Sequence, residues 1–359
     1  MNDFDPTAFA IFAKTEFSTL GTIAVVLGTV VVLIAGFVAA LPWIVQPFLR
    51  AVLFLRYDIR RIGLENVPKK GPVFLASNHL SWFDGFFLAS SLPRRGSALM
   101  NADIFDWPVI GYLAKRCGLI PVPFSGPKAL KASIEASRRV LDEGKALGIF
   151  PEGQLSRNGM TGTFHRGLEV ILSHREHVPV IPVYLDNVWG SIMSFSGGCF
   201  VKKWPRGWRR RIVVAFGPPV EPPITAFRVR QAVLVQSVVA RTALGFVPEL
   251  PEPIDRTLPS FNHSELGLLT GSAADIHAPE VNVHQIGQKP GTVGVALPGV
   301  AVRVVDENGA DLPPKVEGRL QALVPGRPGW VEVGHRAIID GDGFVTITHV
   351  PAEENGGAH

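Results

Sequence analysis

The chain has 359 residues, room for one large domain and a smaller one. Its formal charge of +4 is mild and dispersed, which argues against a nucleic-acid partner and suits phosphate-bearing ligands or an anionic membrane surface. Cys117 and Cys199 are the only cysteines and lie far apart, so neither a disulfide framework nor a cysteine metal site is expected, and a reducing cytoplasmic setting is.

Residues 1–19 read as an N-terminal tail. From Phe17 to Leu49 no charged residue occurs, and the run 20–41 has the roughly 20 apolar residues that cross a hydrocarbon layer about 30 Å thick. The start is acidic (Asp3, Asp5 and Glu16 against Lys14), unlike a cleaved signal peptide. Arg50, Arg56, Arg60 and Arg61 follow. The positive-inside bias then predicts one transmembrane and interfacial anchor over 20–49, single-pass in the inner membrane, with the rest on the cytoplasmic face.

Residues 50–245 alternate short apolar runs with helical patterns. "GPVFLASNH", "ALGIFPEG", "VPVIPVYLD" and "RRIVVAFGPPV" read as strands. "PKALKASIEASRRVLDEGK" reads as a helix with Leu130, Ile134, Ser137 and Leu141 on one face. The expected fold is α/β: a mostly parallel sheet with flanking helices, preceded by the transmembrane helix and followed by a small β-rich subdomain. A proline-rich linker is expected over 246–262, the β subdomain over 263–350 with an Asn–Gly turn at Asn308 and Gly309, and a disordered tail over 351–359.

Two polar clusters sit where strands run out, the place where ligands bind in such sheets. In "ASNHLSWFDG" (76–85), His79 is suited to exchange a proton near neutral pH, and Asp84 could orient it if the chain turns into a helix between them, with Asn78 or Ser81 near its start. The same spacing is also compatible with an ordinary turn. In "FPEGQLSRNG" (150–159), Gly153 leaves the backbone open, and Arg157 beside Ser156 offers paired donors to a phosphate. A capped turn carrying a surface arginine is the plainer alternative. His174 and His177 lack further ligands at metal spacing. In "KKWPRGWRRR" (202–211) either a headgroup-docking loop or a solvated one is expected.

Taken together the two clusters are specific. "NHLSWFD" (78–84) resembles the NHxxxxD motif of the glycerolipid (lysophospholipid) acyltransferase family, and "FPEGQLSR" (150–157) resembles its FPEGTRSR block, with Gln154 and Leu155 in place of Thr and Arg. The resemblance covers residues 44 to 235 or so and extends to "RIGLENVP" before the first block and "VPVIPV" after the second. It implies a membrane-bound O-acyltransferase in which His79 takes the proton of a lysophospholipid hydroxyl and Asp84 orients His79. It also implies that Asn78, Glu152, Gly153, Ser156 and Arg157 bind the acceptor. The acyl donor is then acyl-CoA or acyl carrier protein as co-substrate, with no cofactor, metal or acyl-enzyme. A non-catalytic lipid-binding or scaffolding protein on the same fold is the alternative.

"GLIPVPFSG" (118–126) departs from the block that many lysophosphatidate-specific members carry there, since the arginine is missing. "VYLDNVWGSIMSFSGG" (183–198) is similar to the acyltransferase half of bacterial bifunctional acyltransferase/acyl-carrier-protein synthetases. Lysophosphatidate and 2-acyl-lysophosphatidylethanolamine therefore both stand as acceptors. Residues 291–320 and 329–347 resemble part of adenylate-forming ligases, but no phosphate loop precedes them. The ligases' Thr-Gly-Asp appears as Val333-Gly334-His335, the last lysine is Lys315, and only Glu265 matches a metal-contacting position. A remnant of such a ligase, without ATP-dependent chemistry, is expected.

Overall fold

The computed structural model describes residues 21–33, 36–37, 39–40, 47, 51–123, 126–198, 209–245, 257–278 and 283–349. The expected tails at 1–19 and 351–359 and most of the expected linker lie outside them. The chain divides into a compact unit ending at Leu53 and another beginning at Phe54.

The expected transmembrane helix is overturned: among the described residues no helix is long and apolar enough to cross a membrane. An uncharged run sets only an upper bound on a span.

The second unit is built on a seven-stranded sheet of β1 (Tyr57–Ile62), β2 (Val73–Ser77), β3 (Gly96–Asn101), β4 (Ile120–Val122), β5 (Ala146–Ile149), β6 (Val180–Asp186) and β7 (Arg210–Phe216), ordered β1-β7-β6-β2-β5-β3-β4. Every neighbouring pair is parallel except β6 with β7. The mostly parallel sheet with flanking helices is thus as expected. All residues of β2, β5 and β6 are buried, the signature of central strands covered on both faces. The expected helix runs over Pro127–Asp142, but Leu130 is 47% exposed and the buried positions are Ser133, Ser137 and Leu141. Serines on that face let the helix lie close to its neighbours, with Ser133 Oγ donating to Pro121 O.

A long helix, Ala226–Leu244, decides how the rest of the unit packs. Thr225 caps its start, its hydroxyl accepting from Arg228 N, and Gly245 ends it in the left-handed conformation. Val229, Val233, Ala240 and Leu244 join the core of the sheet, while Leu234 and Val238 join a second core made largely of C-terminal residues. The helix is therefore apolar on two faces.

The C-terminal region is β-rich, as expected. β8 (Ser260–His263), β9 (Gly267–Gly271) and β12 (Val295–Ala296) form one sheet, β10 (Ile276–Ala278) and β11 (Val283–Gln285) a hairpin. β13 (Ala301–Val305), β14 (Glu317–Leu323), β15 (Val331–Ile339) and β16 (Val345–His349) form an antiparallel sheet. β8 begins inside the stretch expected as linker. The predicted turn is present, with Asp306 Oδ1 accepting from Asn308 N and Gly309 at φ 84°. His335, where the ligases carry an aspartate, is buried edge-on against Phe261 with Nδ1 on Val333 O.

Candidate active site

Two neighbouring parallel strands position the site. β2 and β5 pair in register from Val73↔Ala146 to Ala76↔Ile149, so the chain after Ser77 and the chain after Ile149 leave the sheet side by side at its carboxyl edge. The first carries His79, and the second carries Phe150, Glu152 and Arg157. The rings of His79 and Phe150 stack, 4.1 Å between centroids and 14° between planes.

Asp84 opens the helix Asp84–Ser91, and a carboxylate there is favoured by the helix dipole. Its Oδ2 accepts from Leu80 N at 2.5 Å and Ser81 N at 2.8 Å, which folds the residues between histidine and aspartate into a tight turn. The same oxygen lies 3.0 Å from His79 Nδ1. Asp84 is fully buried, whereas the His79 side chain is 22% exposed. Five positions in sequence thus become a hydrogen-bonded pair. The carboxylate selects the tautomer with the proton on Nδ1 and leaves Nε2 to exchange a proton.

Glu152 is buried and spans the two segments: Oε1 accepts from His79 N and Oε2 from Gly162 N, both at 2.9 Å. Burial raises its pKa to about 8, opposed by those two N–H groups and by the charge of Arg230. Arg230, 1% exposed, donates to the carbonyls of Gly162 and Thr161, and burial lowers its pKa to about 10. Ser156 is buried; its N–H donates to His79 O at 2.8 Å and its hydroxyl to Met160 O. Asn78 is buried as well, and its amide donates to Leu185 O and accepts from Leu185 N, tying the loop to β6. Gly153 holds φ +66°, and a Cβ there would lie 3.1 Å from His165 Cδ2, so both backbone and space favour glycine.

Arg157 is half-buried, with its guanidinium 3.4 Å above the Phe195 ring. Phe195 follows a segment that bridges back to the first loop, through Ser81↔Ser194 and through Trp82 N donating to Met193 O. All seven sequence-predicted residues therefore fall in one cluster formed by two loops and the start of the helix Asp84–Ser91. Asn78, Glu152 and Ser156 are buried and bonded to backbone or neighbouring side chains, while His79, Gly153 and Arg157 keep exposed surface. Sequence reasoning missed Phe150, Phe195, Arg230 and Gln285. The two phenylalanines lay inside quoted blocks; the other two carried no local signal.

Residues 58–186 match the family model described as Acyltransferase. Over 141 residues the chain is 32% identical to a chloroplastic 1-acyl-sn-glycerol-3-phosphate acyltransferase of Brassica napus, covering 39% of this chain and 40% of that protein. Over 174 residues it is 30% identical to the 1-acyl-sn-glycerol-3-phosphate acyltransferase of Pseudomonas aeruginosa, covering 47% and 61%. The chain thus spans less than two thirds of the length of either relative. A crystal structure of the 1-acyl-sn-glycerophosphate acyltransferase of Thermotoga maritima aligns with TM-score 0.44 at 18% identity, over 58% of this chain and 80% of that one. The acyltransferase resemblance read from the two motifs is borne out by the family match and by these relatives.

Proposed function

We propose that the chain is an O-acyltransferase that moves a fatty acyl group from a thioester, acyl-CoA or acyl carrier protein, to the free hydroxyl of a lysophospholipid. The observation that carries this reading is the 3.0 Å contact between His79 Nδ1 and the buried Asp84 carboxylate, beside the loop of Arg157. Nε2 of His79 takes the hydroxyl proton as the oxygen attacks the thioester carbonyl. The new C–O bond forms, the C–S bond breaks, and the departing thiolate receives the proton from the imidazolium. Asp84 holds the ring and offsets its transient charge. Asn78, Glu152 and Ser156 act as positioning residues, Gly153 keeps the approach open, and Arg157 takes the acceptor's phosphate.

The names of the relatives favour 1-acylglycerol 3-phosphate as acceptor, and the departure at 118–126 keeps 2-acyl-lysophosphatidylethanolamine beside it. A lipid acceptor puts the reaction at a membrane surface. The test is acyl transfer by the full chain with radiolabelled thioesters and a panel of lysolipids. His79→Ala should lower kcat by about 10²–10⁴, the usual contribution of a general base. Full transfer by that variant means the base is assigned wrongly.

A further inference from the structure

The loop that carries Arg157 runs from the end of β5 to the helix Gly167–Leu172 with no strand partner, so its backbone groups need partners from elsewhere. Several come from the C-terminal region. Gln285, the last residue of β11, is 6% exposed; its Oε1 accepts from Arg157 N at 2.7 Å and its Nε2 donates to Asn158 Oδ1 at 2.6 Å. Asn158 Oδ1 in turn accepts from Ser156 Oγ and Met160 N, and Ser156 N donates to His79 O. On the same hairpin His284 O accepts from Gln154 Nε2 at 3.1 Å. Residues 154, 157 and 158 are thus fastened to two successive residues of one strand.

From these contacts we infer that the β10–β11 hairpin is a clamp on the acceptor loop, and that Gln285 is a positioning residue that sets where Arg157 meets the acceptor phosphate. The inference rests on the acyltransferase reading for its consequence, though the contacts stand without it. A glutamine suits the task because one side-chain amide supplies both an acceptor for Arg157 N–H and a donor for Asn158. A methionine of similar size supplies neither, and a mobile loop loses conformational entropy when it is ordered on binding. Fastening the loop beforehand therefore strengthens acceptor binding and leaves the thioester step alone. The C-terminal region thereby acquires a part in acceptor recognition.

The experiment compares the full-length wild type with Gln285→Met. Acceptor and thioester KM are measured with 1-acylglycerol 3-phosphate, and amide hydrogen exchange is followed over residues 154–163. The clamp predicts an acceptor KM raised about tenfold, a thioester KM within twofold, and exchange at the Arg157 amide at least tenfold faster. An unchanged acceptor KM, an equal rise in both KM values, or unchanged exchange overturns it. Where Gln285→Met fails to fold, Gln154→Ala cuts the tie to His284 from a partly exposed position. It should raise acceptor KM about threefold with thioester KM constant, and no selective rise overturns the clamp. A wild type that acylates no lysolipid defeats the proposed function alone, and the exchange measurement then decides the clamp by itself.

Discussion

Replacing Asp84 by asparagine separates the two parts this residue plays, folding the turn and steadying a charged imidazole. An asparagine with its oxygen in the place of Oδ2 still accepts from Leu80 N, Ser81 N and His79 Nδ1, so the turn survives. The negative charge does not. Two unit charges 3.0 Å apart interact by roughly 5 kcal/mol at an effective dielectric of about 20. The amide dipole retains part of that, which leaves about 3–4 kcal/mol missing when the imidazolium forms. The expected result is a kcat lower by about 10²–10³ with both KM values little changed. Stability should fall too. Asp84 Oδ1 is buried and accepts no hydrogen bond among the described residues, so an amide nitrogen there brings N–H groups without an acceptor, at about 1–3 kcal/mol. Steady-state thiol release with a lysolipid acceptor, alongside thermal unfolding, measures both. A folded Asp84→Asn variant with kcat within threefold of wild type would refute the charge-steadying role and leave Asp84 as a turn cap.

Arg157→Ala should raise acceptor KM by about 10–100-fold through loss of a charge-assisted bond to phosphate, while thioester KM stays constant; the opposite split rejects the phosphate role. Glu152 predicts a pH dependence of stability. Its pKa is raised from 4.5 to about 8 in the fold, so between those values the folded chain holds a proton that the unfolded chain has lost. Stability from this group is fully present below about pH 4.5, declines as pH rises by up to about 1.4 kcal/mol per unit, and is flat above about 8. Denaturant unfolding from pH 5 to 8.5 should show that decline in wild type and a flatter profile in Glu152→Gln; identical slopes would refute it. Gly343 sits at φ +91°, and a Cβ there would come 2.0 Å from Nη1 of the buried Arg230. Gly343→Ala should cost about 2–4 kcal/mol in thermal or denaturant unfolding, and a loss below about 0.5 kcal/mol would show that the contact yields.

The sheet strands were legible because central strands are short, almost wholly apolar and bounded by turn residues, as "VFLAS" and "VIPVYLD" are up to the polar residue that ends each. The helix Ala226–Leu244 was not. It buries one face against the sheet and another against the C-terminal core, so its apolar residues do not form a single stripe. The N-terminal run misled because absence of charge sets only an upper bound on what a segment could cross.

By itself the sequence determined the chemistry on offer, because proton exchange and phosphate pairing demand particular side chains, and His79, Asp84 and Arg157 stand in a recognisable order. Only the tertiary structure decided which of them touch and what holds them. The parallel pairing of β2 with β5 brings two segments distant in sequence to one sheet edge, and Glu152 locks them together through backbone N–H groups. Gln285 reaches Arg157 from 128 residues away. Such partners leave no local trace, since a buried glutamine is selected by the donors and acceptors folded around it and not by its neighbours in the chain.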